Sequence, residues 1–119
     1  MLDTRSIYRD KQLNIEDYFD GNTINKSKYK RELSIDRKVI GLEQMIWIKN
    51  NLNKKFKWSI IGQQVLMAQV YLPSIFANMN KKILPDYLHK FLKIGGMNVQ
   101  YNTDAWDGYP RERERLIKE

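Results

Sequence analysis

The residues able to do chemistry fall at two places far apart in the chain. Near the start, Asp3 and Arg5 alternate with Leu2 and Thr4, so a strand there would set a carboxylate and a guanidinium on one face. Near the end, Asp104-Ala105-Trp106-Asp107-Gly108-Tyr109-Pro110 places two carboxylates and two aromatics on a turn with a glycine and a proline. A planar guanidinium fork can bind an anion at two points, and a glycine lets the backbone of a turn pack tightly. The plainer reading is structural: an Asp beside an Arg makes a surface pair worth about 0 to 1 kcal/mol, and Asp3, Asp104 and Asp107 are suited to capping turns. His89 is the one histidine. With no second histidine or nearby carboxylate at ligand spacing it reads as a surface or packing residue rather than a metal ligand. The chain has no cysteine, which excludes disulfides, thiolate metal sites and a cysteine nucleophile.

The element expected to organise the rest is Trp58 to Ile61, which opens the longest run without a charged residue, Trp58 to Asn80. Its aromatic and β-branched residues, ending at Gly62, predict a short buried strand. Gln63, Gln64, Gln69, Pro73 and Asn78 break the run, so no membrane span is expected. Gln63 and Gln64 must find hydrogen bonds if they follow a buried strand, and backbone is the expected partner. Leu42 to Leu52 has helical spacing, with Gly41 at its entry and Asn53-Lys54-Lys55 complementing its C-terminus. A helix, a basic turn and a strand together suggest an α/β layer.

Asn14 to Asp36 is polar, with a turn signal at Gly21-Asn22, and reads as a long irregular surface segment. Ser74 to Met79 reads as a helical turn and Pro85 to Leu92 as a short helix. Pro110 suits a first helical position, which predicts a charged helix from Arg111 to Glu119 with Leu116 and Ile117 to bury. With a strand-like start and so short an apolar stripe at the close, residues 1–119 are expected to form a single incomplete domain.

The net charge of +7 is concentrated: residues 1–21 carry −2, residues 22–57 +7 and residues 58–119 +2. Fourteen of the 21 cations are lysines set among many asparagines and isoleucines, read as a solvated face rather than a nucleic-acid surface.

Three motifs in order, Leu2-Asp3-Thr4-Arg5 with Arg9-Asp10-Lys11-Gln12-Leu13, then Gly62-Gln63-Gln64-Val65-Leu66-Met67, then Asp104 to Pro110, resemble the alkaline phosphatase D family. Gly41-Leu42-Glu43-Gln44 with Trp47, and Trp58, fit the same pattern. The resemblance implies part of a four-layer α/β/β/α metallophosphatase sandwich hydrolysing phosphate mono- or diesters. It also implies calcium and iron in the intact enzyme, and export to the periplasm or medium. Family ligand motifs lie outside the matched stretch, so no catalytic or metal residue is assigned and no cofactor is expected on this segment. Its implied partner is the remainder of the parent phosphatase. Arg5, Trp106, Asp107 and Tyr109 are the candidates for the rim of a substrate pocket, because both motifs adjoin catalytic segments in the family. Two other functions compete: a small basic module holding a polyanion with Lys26, Lys28, Lys30, Arg31, Lys54, Lys55 and Lys57, or a scaffold that folds on a complementary chain.

Overall fold

The computed structural model describes residues 1–21, 23–52 and 56–119. It is a mixed architecture of four α-helices, short 3₁₀ turns and one two-stranded antiparallel sheet among the described residues. The shape is elongated, 56 × 26 × 22 Å, because the buried residues form two separate cores.

The segment expected to be irregular builds one of them. Asn14 caps a 3₁₀ turn, Ile15–Tyr18, by accepting from the Glu16 amide. The chain then forms the hairpin β1 (Phe19–Asp20) and β2 (Thr23–Ile24), turning through Gly21 at φ +60°; Asn22, half of the turn signal, lies outside the described residues. Asn25 caps helix α1 (Lys26–Leu33), its side chain accepting from the Lys28 amide at 3.0 Å, as an asparagine N-cap should. Tyr29 and Leu33, four apart, point inward and pack with Tyr18, Ile24, Ile94 and Val99. The irregular reading of residues 14–36 is therefore corrected: four buried side chains, Tyr18, Ile24, Tyr29 and Leu33, suffice here because α3 (His89–Ile94) and the following loop supply the opposite wall. The Tyr29 hydroxyl donates to the Gln100 carbonyl at 2.6 Å, and burial pushes its pKa up. Lys26, Lys28, Lys30 and Arg31 are exposed.

The other core joins Leu2, Val39, Ile40, Ile48, Val65, Trp106, Tyr109 and Leu116. Helix α2 (Gly41–Asn51) lies where its periodicity predicts, with Gly41 at φ +71° as the entry. A Cβ there would sit 2.7 Å from Tyr8 Cβ, so glycine is required by both conformation and space. Only Ile48 of its apolar face is fully buried; Leu42 and Trp47 are 69% and 58% exposed. The lysines assigned to its end lie outside the described residues.

The central strand is the main correction. Trp58 to Ile61 forms no strand, and Trp58 and Ile60 are 81% and 96% exposed. Nothing among the described residues covers them, and the alternation expected around that strand is not formed, though helices with a small antiparallel sheet are compatible with an α/β class. The buried tryptophan is Trp106, fully enclosed. Both glutamines are hydrogen-bonded as expected, although Gln63 is only half-buried and Gln64 is exposed. Gln64 Oε1 accepts from the Thr4 hydroxyl and amide at 2.9 and 3.3 Å. Gln63 Oε1 accepts from the Val65 amide and from Trp106 Nε1 at 3.2 and 3.0 Å. Residues 2–5 are not a strand either. Their backbone is held by side-chain amides: Gln44 accepts from the Asp3 amide and donates to the Asp3 carbonyl, both at 2.8 Å. Ser74–Asn78 is a 3₁₀ turn, and Asp86–Leu88 leads into α3, close to the helical expectations. Pro110 opens α4 (Pro110–Lys118), which buries Leu116 but leaves Ile117 65% exposed. No helix among the described residues is long and apolar enough to cross a membrane.

Candidate functional site

The two chemistry-bearing motifs, about a hundred residues apart in sequence, meet in space. Arg5 grips the Asp104 carboxylate at two points, Nη1 to Oδ1 at 3.3 Å and Nη2 to Oδ2 at 3.1 Å. Arg9 donates Nη2 to the same carboxylate at 2.8 Å and to the Asp104 carbonyl at 2.7 Å, and Nη1 to the Thr4 carbonyl at 3.1 Å. Arg5 is half exposed whereas Arg9 is largely enclosed. Two guanidiniums on one carboxylate leave a surplus positive charge at the surface. The expected Asp3–Arg5 side-chain pair is not made. Asp3 Oδ1 instead accepts from the Arg5 and Ser6 amides at 2.9 Å each, a local turn typical of aspartate, and those amides, Arg5 first, hold its carboxyl below the usual range.

Behind this pair the turn is solid. Arg9 and Arg37 both sit over the Tyr109 ring, 5.2 and 5.3 Å from its centroid, within cation–π range. The Tyr109 hydroxyl donates to the Asp10 carbonyl at 2.6 Å, and burial pushes its pKa up. Arg37 Nη2 donates to the Gly108 carbonyl; its Nε and Nη1 are buried with no hydrogen-bond partner among the described residues, and desolvation lowers its pKa. Asp107 is fully buried, accepting from the Val70 amide at 2.8 Å and facing Arg113 Nη1 at 3.4 Å. Burial pushes its pKa up, against the Val70 amide and the Arg113 charge. A Cβ on Gly108 would lie 2.3 Å from the Thr103 carbonyl oxygen, so only glycine closes this turn.

Of the four residues proposed for a pocket rim, Arg5 therefore faces solvent, while Trp106, Asp107 and Tyr109 form the packed floor that fixes the turn carrying Asp104. Sequence reasoning named neither Arg9 nor Arg37 for this place, nor Glu112, which is 2% exposed and accepts from the Val39, Ile40 and Gly41 amides. A usable signal existed for Glu112. Counting back from Leu116 at helical spacing puts Arg113, Glu112 and Tyr109 on the same inward face.

The residues do not fit a metal. No group of three or more His, Cys, Asp or Glu side chains converges among the described residues. Asp104 is taken by two arginines and Asp107 is sealed in the core. His89 Nε2 lies 3.1 Å from the Lys81 and Leu84 carbonyls, with Nδ1 3.6 Å from exposed Asp86. Asp86, three residues before it, is a carboxylate neighbour that the sequence reading passed over, but one exposed carboxylate does not make a site. The arrangement exposes the Arg5 guanidinium at the surface while both of its terminal nitrogens are engaged by Asp104.

Comparison with known proteins covers the chain throughout. A family model described as PhoD-like phosphatase matches residues 1–119. Alkaline phosphatase D of Bacillus subtilis (strain 168) is 31% identical over 118 residues, covering 98% of this chain and 15% of that protein's length. The chain thus spans a small part of the curated relative it matches. No solved structure matches it.

Proposed function

The chain belongs to the PhoD-like phosphatase family, and on that premise we propose that it is an interior segment of a metal-dependent phosphohydrolase acting on phosphate mono- and diesters. The observation that carries this is the unbroken match along the whole chain against so small a share of the relative. The segment's task is architectural: it locks the Leu2–Arg5 stretch and the Asp104–Pro110 turn together and presents Arg5 beside them. The four-layer sandwich, the calcium and iron, and export from the cell belong to the same reading of the parent protein. Any metal would be held by residues outside this segment, since multinuclear phosphate hydrolysis needs several converging oxygen and imidazole ligands.

The isolated chain is expected to show no hydrolysis of phosphomonoesters or phosphodiesters with calcium and iron supplied. Turnover that co-purifies with the 119-residue chain would overturn the segment reading. Coding sequence on both sides that lacks the family's ligand motifs would count against it equally.

Arg5 is the rim candidate that faces solvent, and it is the one we assign to substrate contact. In a chimera carrying this chain in place of the matched stretch of the B. subtilis relative, Arg5→Lys keeps the charge but loses the fork. Turnover is expected to fall roughly tenfold, the equivalent of about 1.4 kcal/mol in the transition state, with the melting temperature unchanged. Parallel loss of melting temperature would assign Arg5 to the Asp104 pair alone.

A further inference from the structure

The stretch from Pro73 to Ile94 lies outside the three family motifs, and its composition is lopsided. It holds four lysines, Lys81, Lys82, Lys90 and Lys93, against one carboxylate, Asp86, and Asp86 faces His89 Nδ1 at 3.6 Å. Large apolar side chains recur at every fourth residue, Ile75, Met79, Ile83 and Tyr87. A single helix would line them up on one stripe. The chain is instead broken into the turn Ser74–Asn78, a 3₁₀ turn Lys81–Ile83, the turn Asp86–Leu88 and α3. Ile75, Ile83 and Tyr87 are left 67%, 77% and 72% exposed, in the same stretch as exposed Lys81 and Lys82.

These turns are fixed in place. A Cβ on Gly95 would sit 2.7 Å from the Ala77 nitrogen and 2.8 Å from Phe76 Cβ, so Ser74–Asn78 is pressed against the end of α3. His89 Nε2 lies 3.1 Å from both the Lys81 and the Leu84 carbonyls, which ties the middle turn to the same helix. Asn80 caps that turn by accepting from the Lys82 amide at 3.0 Å. A hollow of about 180 Å³ in this lobe is lined by Ala77, Met79 and Leu92 together with Lys81 and Lys93. The lobe packs on the Tyr29 core through Phe91 and Ile94, whereas Leu2 and Leu116, beside the two ends of the chain, pack in the Trp106 core.

We propose that this lobe is a docking surface for an anionic lipid bilayer. The lysine ammoniums meet the lipid phosphates, and Ile75, Ile83 and Tyr87 reach the boundary between headgroups and acyl chains. Both halves of the pattern are needed for the assignment. A soluble polyanion would engage the lysines and leave the isoleucines in water, and a purely apolar partner would have to strip water from the lysines without pairing them. A bilayer surface satisfies both, with tyrosine suited to the level where one end of the ring is apolar and the other wet.

The test uses the 119-residue chain and the chimera described above, each first shown to be folded by its melt. Vesicles are phosphatidylcholine alone, or with about one third phosphatidylglycerol. Both proteins are expected to co-sediment with the anionic vesicles, to ignore the neutral ones, and to be released at about 1 M salt, where the screening length is about 3 Å. Lys81→Gln with Lys82→Gln is expected to weaken binding roughly 25-fold, roughly fivefold per lysine, and Ile83→Ser roughly tenfold or more. Melting temperatures are expected to hold, because these side chains stand in water. Folded chain that ignores anionic vesicles would overturn the proposal. So would binding by the chain that a folded chimera lacks, which would mean that the rest of the parent covers the lobe. Binding that the lysine variant weakens and Ile83→Ser leaves unchanged would overturn it in favour of a soluble polyanion. Dimerisation blocked by Ile83→Ser, without binding to vesicles, would overturn it in favour of a second copy. A chimera that fails to fold where the unmodified relative folds would count against the segment reading alone, and binding by the chain then decides the proposal.

Discussion

Glu112→Ala is expected to destabilise the chain by about 3 kcal/mol or more, because one side chain satisfies three consecutive buried amides. The Glu112 carboxylate accepts from Val39 and Ile40 with one oxygen and from Gly41 with the other, the last two at 3.2 Å. The Ile40 and Gly41 amides are orphan donors at the start of α2, where Ile40 occupies the cap position and makes no side-chain cap bond, and the Val39 amide lies just before them. A helix start leaves its first amides unpaired, and here a residue seventy positions later supplies the acceptor. Each buried amide left bare costs about 1 to 3 kcal/mol, and the carboxylate also faces the positive end of the α2 dipole. Glu112→Gln is expected to lie between the two, since one amide oxygen can still serve Val39 and Ile40 while the NH₂ group confronts the Gly41 amide. Urea unfolding checks the order: glutamate most stable, glutamine intermediate, alanine least. An alanine variant within about 0.5 kcal/mol of the parent, the range of an ordinary surface change, would show that water reaches these amides.

The same clamp shows what was legible in the sequence and what was not. Helices α2 and α4 follow from local spacing, from Gly41 and from Pro110, and each starts within a residue of expectation. That Gln63 and Gln64 are hydrogen-bonded was expected from burial, but Gln64 makes its bonds to Thr4 while exposed and Gln63 while half-buried. Glu112 did not follow, because a charged residue in a helix rich in arginine and glutamate reads as solvated until Tyr109 and Leu116 fix which face turns inward. Residues 14–36 misled for a related reason. Their apolar residues are sparse, and only Ile94 and Val99, far along the chain, make Tyr29 and Leu33 a core. Arg5 and the Asp104–Pro110 turn were singled out by type, and the structure joins them; that Arg9 and Arg37 would flank Tyr109 required the fold.

Trp106→Ala is expected to cost about 3 to 5 kcal/mol, the range for emptying a buried aromatic site, and Trp58→Ala less than about 0.5 kcal/mol in the same chain. Composition alone favours the reverse, since Trp58 heads the uncharged run and Trp106 lies in a polar turn. Local sequence, however, reports only what a residue would gain by burial, and whether a partner surface exists decides the outcome. Trp106 has one on every side. It is fully enclosed, packs in the core with Val65 and Leu116, donates Nε1 to Gln63 at 3.0 Å and donates its amide to the Leu66 carbonyl at 3.3 Å. Trp106→Phe is expected to recover much of the loss while leaving Gln63 Oε1 with the Val65 amide alone. Trp58 is 81% exposed, so truncating it removes little from the folded chain. In the chimera the ranking narrows if Trp58–Ile61 gains a strand partner, because Trp58 then becomes a buried residue too. Paired unfolding measurements on the chain and the chimera read this directly. A Trp58→Ala cost in the chain that rivals Trp106→Ala would mean that the exposed segment is packed in solution.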